Sequence, residues 1–206
     1  MPALVVSIDG CVFASVCCDD YDIVSVSVSG TLVDERFATL DMSGGLYPNE
    51  GNSTYLVWVD EKVLSPLQVV SVALLEDGIT SQQGITIEEL FPDGDSMQKV
   101  EFQVTDGMFQ ELREKPLQRD GYELHLKSAT GATCFGCTTS EEHGFGFTVL
   151  WHSQRYDKAS LSLHSYTIDS MEHQTPMRNH FSEFLHLGQM ASVSVGVLPR
   201  SNQTAT

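Results

Sequence analysis

The heptapeptide Ile23-Val24-Ser25-Val26-Ser27-Val28-Ser29 decides the fold class. Side chains along a strand alternate between its two faces, so this stretch puts valines on one side and serines on the other. Wound as a helix, the same residues would spread valine over every face. Valine is stiff at χ1 and packs better on a pleated surface than on a helix. A strand with one apolar and one hydroxyl face belongs to an antiparallel sheet that is wet on one side.

The neighbouring sequence reads the same way. Upstream, Leu4 to Ile8 and Cys11 to Val16 flank Asp9-Gly10, the pair that a type I′ hairpin turn demands. Downstream, strands are expected at Phe37 to Met42, Thr54 to Val59, Val69 to Leu75 and Ile85 to Ile87. The second half adds Val100 to Thr105, Tyr122 to Lys127, Phe145 to Trp151, Leu161 to Tyr166 and Ala191 to Leu198. Asn49 to Ser53 reads as a turn, and Thr130 to Thr139 as a turn or weak edge. The one short helix expected is Phe109 to Lys115, closed by Pro116. No long amphipathic helix is present to serve as the crossover of a parallel sheet.

The expectation is an all-β chain of two small antiparallel β-sandwich-like units with at most short helices. The breaker Phe91-Pro92-Asp93-Gly94-Asp95 divides it into an acidic domain, 1–95, and a histidine-containing domain, 96–206. The halves echo each other as a tandem duplication would. Tyr55 to Val59, Leu64 and Val70 to Leu74 resemble Phe181 to Leu185, Leu187 and Val193 to Val197, with Val24 to Val28 matched to Leu161 to His164.

The chain has 206 residues, 41% of them hydrophobic, which is enough for a full core. Eleven basic against 28 acidic residues leave a net charge of -17, a surface that repels nucleic-acid phosphate and anionic lipid. The charge is lopsided. Residues 1–98 hold only Arg36 and Lys62 against sixteen carboxylates, whereas all seven histidines lie in the second half. Five cysteines, with Cys17 and Cys18 adjacent, suit a reducing compartment, and Met1 to Val6 lacks the basic start of a signal peptide; a cytoplasmic location is expected.

Motifs for chemistry are sparse. Cys134-Phe135-Gly136-Cys137, with His143 six residues on, is half of a zinc signature; with no second Cys-x-x-Cys, no cofactor is expected. Ser170, His173 and Asp169 supply the types of a nucleophilic triad, and the polar stretch His173 to His186 reads as a long loop able to carry a hydrolase site. Glu88-Glu89 and Glu141-Glu142 are adjacent and face opposite ways on a strand, unlike a glycosidase pair. Trp58 and Trp151 read as core anchors, or as a sugar-stacking surface if they face water.

Charge therefore carries the functional expectation: a non-enzymatic acidic module that binds a basic protein, and neither nucleic acid nor membrane. Its most concrete form is an immunity or antitoxin-type inhibitor of a nucleic-acid-cleaving toxin. The binding residues expected are Asp19, Asp20, Asp22, Asp34, Glu35, Asp60, Glu61, Glu76 and Asp77. The alternatives are the hydrolase above and a structural or assembly domain that associates through an exposed strand edge.

Overall fold

The computed structural model describes residues 1–48, 53–92 and 106–198. Strands β1 (Ala3–Ile8) and β2 (Cys11–Cys17) form the first hairpin. Asp9 and Gly10 both have positive φ, 51° and 80°, as the type I′ turn requires. Next come β3 (Ile23–Thr31), β4 (Ala38–Leu46), β5 (Thr54–Leu64), β6 (Val69–Leu75) and the two-residue β7 (Ile85–Thr86), followed by the short helices α1 (Ile87–Leu90) and α2 (Asp106–Glu114). The rest is β8 (Tyr122–Lys127), β9 (Thr133–Cys137), β10 (Gly144–His152), β11 (Lys158–Tyr166), helix α3 (Ile168–Glu172), β12 (Arg178–His186) and β13 (Gln189–Val197). The expected strand at Val100 to Thr105 lies outside the described residues, as do 49–52 of the expected turn and 93–95 of the expected boundary.

The strands make two antiparallel sheets, ordered β2-β1-β6-β13-β8-β9 and β12-β11-β10-β3-β4-β5-β7. One apolar cluster joins their inner faces: Leu4, Val6, Val72, Leu124 and Val193 from the first, Val26, Leu40, Phe147, Val149 and Leu161 from the second. Val24, Val26 and Val28 all point into it, as the alternation demands. Trp58 and Trp151 are buried, which removes them as sugar platforms.

Both sheets draw on both halves of the chain. β3 pairs with β10 along its whole length, and β6 with β13. The division at residue 95 thus does not separate two packing units; the two layers are the two sheets, each shared. β7 aside, the strand order is palindromic, with β1 to β6 standing where β8 to β13 stand after a half-turn. Register follows: Ala38↔Leu64 in β4–β5 corresponds to Ala159↔Leu185 in β11–β12, a shift of 121 residues (159 − 38 and 185 − 64). This is the pattern that a tandem duplication would leave, with strand matches that differ in part from those expected. Val24 to Val28 corresponds to Phe145 to Val149 rather than to Leu161 to His164, and Leu64 corresponds to Leu185.

The stretch His173 to His186 is not a long loop. His173 closes α3, and Arg178 onward is an edge strand. Edge position explains the misreading: β12 has a single ladder partner and only Leu185 fully buried, so polar residues interrupt Phe181, Phe184 and Leu185 without a clean alternation. α3 itself is set by a capping box, with Thr167 and Ser170 side chains satisfying each other's backbone amides.

Candidate functional site

The nine expected carboxylates fall into two groups at opposite ends of the sandwich. Asp22 precedes β3 and Asp34 follows it, and nine strand residues span about 30 Å. Ala3 pairs with Cys17 on one side and Leu75 on the other, so the chain leaves β2 and β6 at the same end. Asp19, Asp20, Glu76 and Asp77 therefore emerge together, all exposed. The amino terminus lies among them: the Met1 ammonium donates to the Glu76 carbonyl at 3.1 Å and sits 3.6 Å from Asp77. Among the described residues, no lysine or arginine pairs with these four. Asp22 shares this end but is engaged, accepting from the Tyr47 amide at 2.7 Å and the Ser153 hydroxyl at 3.2 Å. Arg155 and Lys158 lie over the Phe184 ring on β12, three strands away from β3.

In the other group, Asp34, Glu35, Asp60 and Glu61, the Asp34 and Glu61 carboxylates are paired with Arg36, whereas those of Glu35 and Asp60 have no lysine or arginine partner among the described residues. Arg36 bridges Asp34 at 2.8 Å and Glu61 at 2.5 Å. Hydrogen bonding from that guanidinium holds Asp34 below the usual carboxylate range. Beside them, burial pushes Asp41 up, although it accepts the Glu61 amide at 2.9 Å. Arg119 reaches across from the second half to donate to the carbonyls of Thr31, Asp34, Glu35 and Arg36 and to the Tyr122 hydroxyl.

The second half contains a buried polar chain that the sequence did not announce. The Ser165 hydroxyl, on β11, donates to Glu142 Oε1 at 2.5 Å and lies 2.8 Å from His180 Nε2 on β12. An ionised carboxylate only accepts, so the serine's one proton points at Glu142 and its oxygen accepts from His180, which fixes the proton on Nε2. The other carboxylate oxygen takes the Thr139 amide at 2.6 Å and Arg178 at 3.3 Å. Burial alone would raise Glu142; these donors outweigh it and hold the acid below its usual value. Ser165 is fully buried, and the order is carboxylate, hydroxyl, imidazole. A nucleophilic relay needs the imidazole in the middle and an exposed hydroxyl.

His180 is positioned by a β-bulge. Leu163 pairs with Phe181 and His164 with Asn179, leaving His180 as the extra residue. The first half has the same bulge, with Met42 on Val59, Ser43 on Val57 and Trp58 left over. There the corresponding site is apolar: Trp58 packs against Gly44 and stands edge-on to Tyr21, ring centres 4.9 Å apart. Gly44 faces Val24 as Ser165 faces Phe145.

The remaining expected residues do not assemble. Cys134 and Cys137 are three apart on β9 and so point to opposite faces, Cys134 inward toward the His180 carbonyl at 3.5 Å and Cys137 to solvent. His143 Nδ1 accepts the Ile168 amide at 3.4 Å. Among the described residues, no three His, Cys, Asp or Glu side chains are grouped to hold a metal. Asp169 pairs with Arg113, and the Ser170 side chain caps α3. No helix among the described residues is long and apolar enough to cross a membrane. No protein-family model, curated protein or solved structure matches the chain.

Proposed function

We propose that this chain is a non-enzymatic acidic protein-binding module that engages a basic protein with the end of the sandwich carrying Asp19, Asp20, Glu76 and Asp77. The observation that supports this reading is the convergence of those four exposed carboxylates without a lysine or arginine partner among the described residues. A cationic surface is drawn to such a cluster and its association is accelerated. An enzyme that grips phosphate backbone presents a cationic cleft of this kind, so the most concrete form is an immunity or antitoxin-type inhibitor of a nucleic-acid-cleaving toxin, acting in the cytoplasm. Asp34 and Glu61 have a different part: their pairing with Arg36, together with Arg119 on the Asp34 and Glu35 carbonyls, holds the β3–β4 connection.

The test is capture from the source-cell lysate at low ionic strength with three proteins in parallel: the natural chain, the quadruple reversal of Asp19, Asp20, Glu76 and Asp77 to Lys, and a reversal of Glu35 and Asp60. The reading expects one basic protein retained by the first and third and lost by the second, and expects added natural chain to block that protein's nuclease activity. Equal retention by all three refutes the docking end; retention without inhibition refutes the inhibitor form.

A further inference from the structure

Asp22 stands in a corner that the two halves build alike and finish differently. The 121-residue shift carries Asp22 onto His143 and Tyr47 onto Ile168 (143 − 22 and 168 − 47). The backbone bonds correspond. The Asp22 amide donates to the Gly45 carbonyl at 2.9 Å, as His143 does to Tyr166 at 2.8 Å. The Ser153 amide donates to the Asp22 carbonyl as Leu32 does to that of His143, both at 2.8 Å. The Tyr47 amide donates to Asp22 Oδ2, and the Ile168 amide to His143 Nδ1. An imidazole nitrogen thus accepts the same bond, which does not call for a carboxylate. In the second half the corner is packed shut, with Leu32 2% and Ile168 3% exposed. In the first half Ser153 and Tyr47 take those places, and Tyr47 is 43% exposed. A pocket of about 480 Å³ opens there, lined by Asp22, Leu46, Tyr47, Pro48, His152 and Gln154.

A carboxylate offers about four lone-pair positions. Asp22 uses one on each oxygen, Oδ2 for the Tyr47 amide and Oδ1 for the Ser153 hydroxyl, which leaves one on each. Two fixed, parallel acceptors match a guanidinium fork. The Tyr47 ring lies against Gly45, where a Cβ would stand 3.2 Å from it, and gives a planar cation an aromatic neighbour. His152 Nδ1 accepts the Gln154 amide at 3.1 Å, so Nε2 carries the proton and is left to donate to a peptide carbonyl. Among the described residues, no lysine or arginine pairs with Asp22. Arg155, next to Gln154, lies over the Phe184 ring instead.

We propose that this pocket receives an arginine side chain of the basic partner, its guanidinium forked on Asp22 beside Tyr47. The proposal rests on the acidic-end reading, since Asp22 shares the end that carries Asp19, Asp20, Glu76 and Asp77. Arginines seated in pockets are frequent anchors of interfaces.

The probe is N-acetyl-arginine N-methylamide, whose one charge is the guanidinium. It is titrated into the full isotope-labelled chain at about pH 8, with amide shifts followed by NMR. Saturable shifts are expected at residues 22, 46, 47 and 152–154. The lysine counterpart is expected to bind roughly threefold more weakly, and the neutral citrulline one not at all. Asp22→His keeps the acceptor used at the related corner and loses the charge, and is expected to bind the arginine probe about tenfold more weakly. Should that variant fail to fold, Tyr47→Leu, which removes the ring, is expected to weaken binding in its place. Unsaturable shifts spread over Asp19, Asp20, Glu76 and Asp77, alike for arginine and lysine, overturn the site, as does equal binding by the variant. Capture from lysate separates this site from the docking end. Loss in the quadruple reversal with full retention by Asp22→His and Tyr47→Leu leaves the docking end standing and overturns the arginine anchor. Pocket binding of the probe with retention by the quadruple reversal supports the arginine site and overturns the docking end.

Discussion

Ser165 shows how much one hydroxyl can hold in place. It joins Glu142 to His180, and its removal takes a hydrogen bond from each. Ser165→Ala is expected to cost about 1–3 kcal/mol, the usual cost of unsatisfied buried polar groups, measured as a lower denaturant midpoint. An unchanged midpoint would contradict the chain of bonds. The same cluster sets a pH response. Burial lowers the His180 imidazole below 6.5, and Arg178 adds to this while Glu142 opposes it; burial lowers His164 likewise. A base held neutral in the fold contributes fully above its unfolded value and loses that contribution as pH falls through the folded one. Glu142, lowered, contributes above its unfolded value and is lost at still lower pH. The melting temperature is therefore expected to fall between about pH 7 and about pH 5, with His180→Gln and His164→Gln each flattening part of that slope. A slope unaffected by both substitutions would rule out these histidines as its source.

At the scale of elements, Arg119 fastens the β3–β4 connection from the other half. Its guanidinium serves four carbonyls and a tyrosine hydroxyl and lies over the Phe37 and Tyr122 rings. An ammonium has neither the planar fork nor the donor count. Arg119→Lys is expected to destabilise by roughly 1–3 kcal/mol and to speed amide exchange at 34–36, whereas a neutral effect would make the contacts incidental. The elements themselves were readable wherever one face is buried. The Val/Ser alternation of β3 and the Asp9-Gly10 turn are local, and local chemistry sufficed. β12 was not readable, because an edge strand needs no apolar face to stay in place. The polar chain was hidden for another reason. Glu142, Ser165 and His180 are brought together by pairings between β10, β11 and β12 and by a bulge, none of which has a signature in adjacent residues.

The whole molecule is two sheets that both halves share, so neither half is expected to melt alone. Trp58 and Trp151 report from different halves. Single-tryptophan variants, Trp58→Phe and Trp151→Phe, are expected to give coincident unfolding midpoints once each is referred to circular dichroism of the same variant; separated transitions would restore two independent units. The lopsided charge also acquires a different meaning at this scale. A balance of sixteen carboxylates against two basic residues in 1–98 is visible in sequence, but its division between two ends is a property of the strand order. At one end all four exposed carboxylates lack a lysine or arginine partner among the described residues, whereas at the other Asp34 and Glu61 are paired with Arg36. The most direct measurement is the association rate of the captured basic protein as a function of ionic strength, for the natural chain and for the Asp19, Asp20, Glu76 and Asp77 reversal. The account expects the natural chain to associate about 10- to 1000-fold faster at low salt, with the difference vanishing as salt rises. Equal rates at every ionic strength would contradict it.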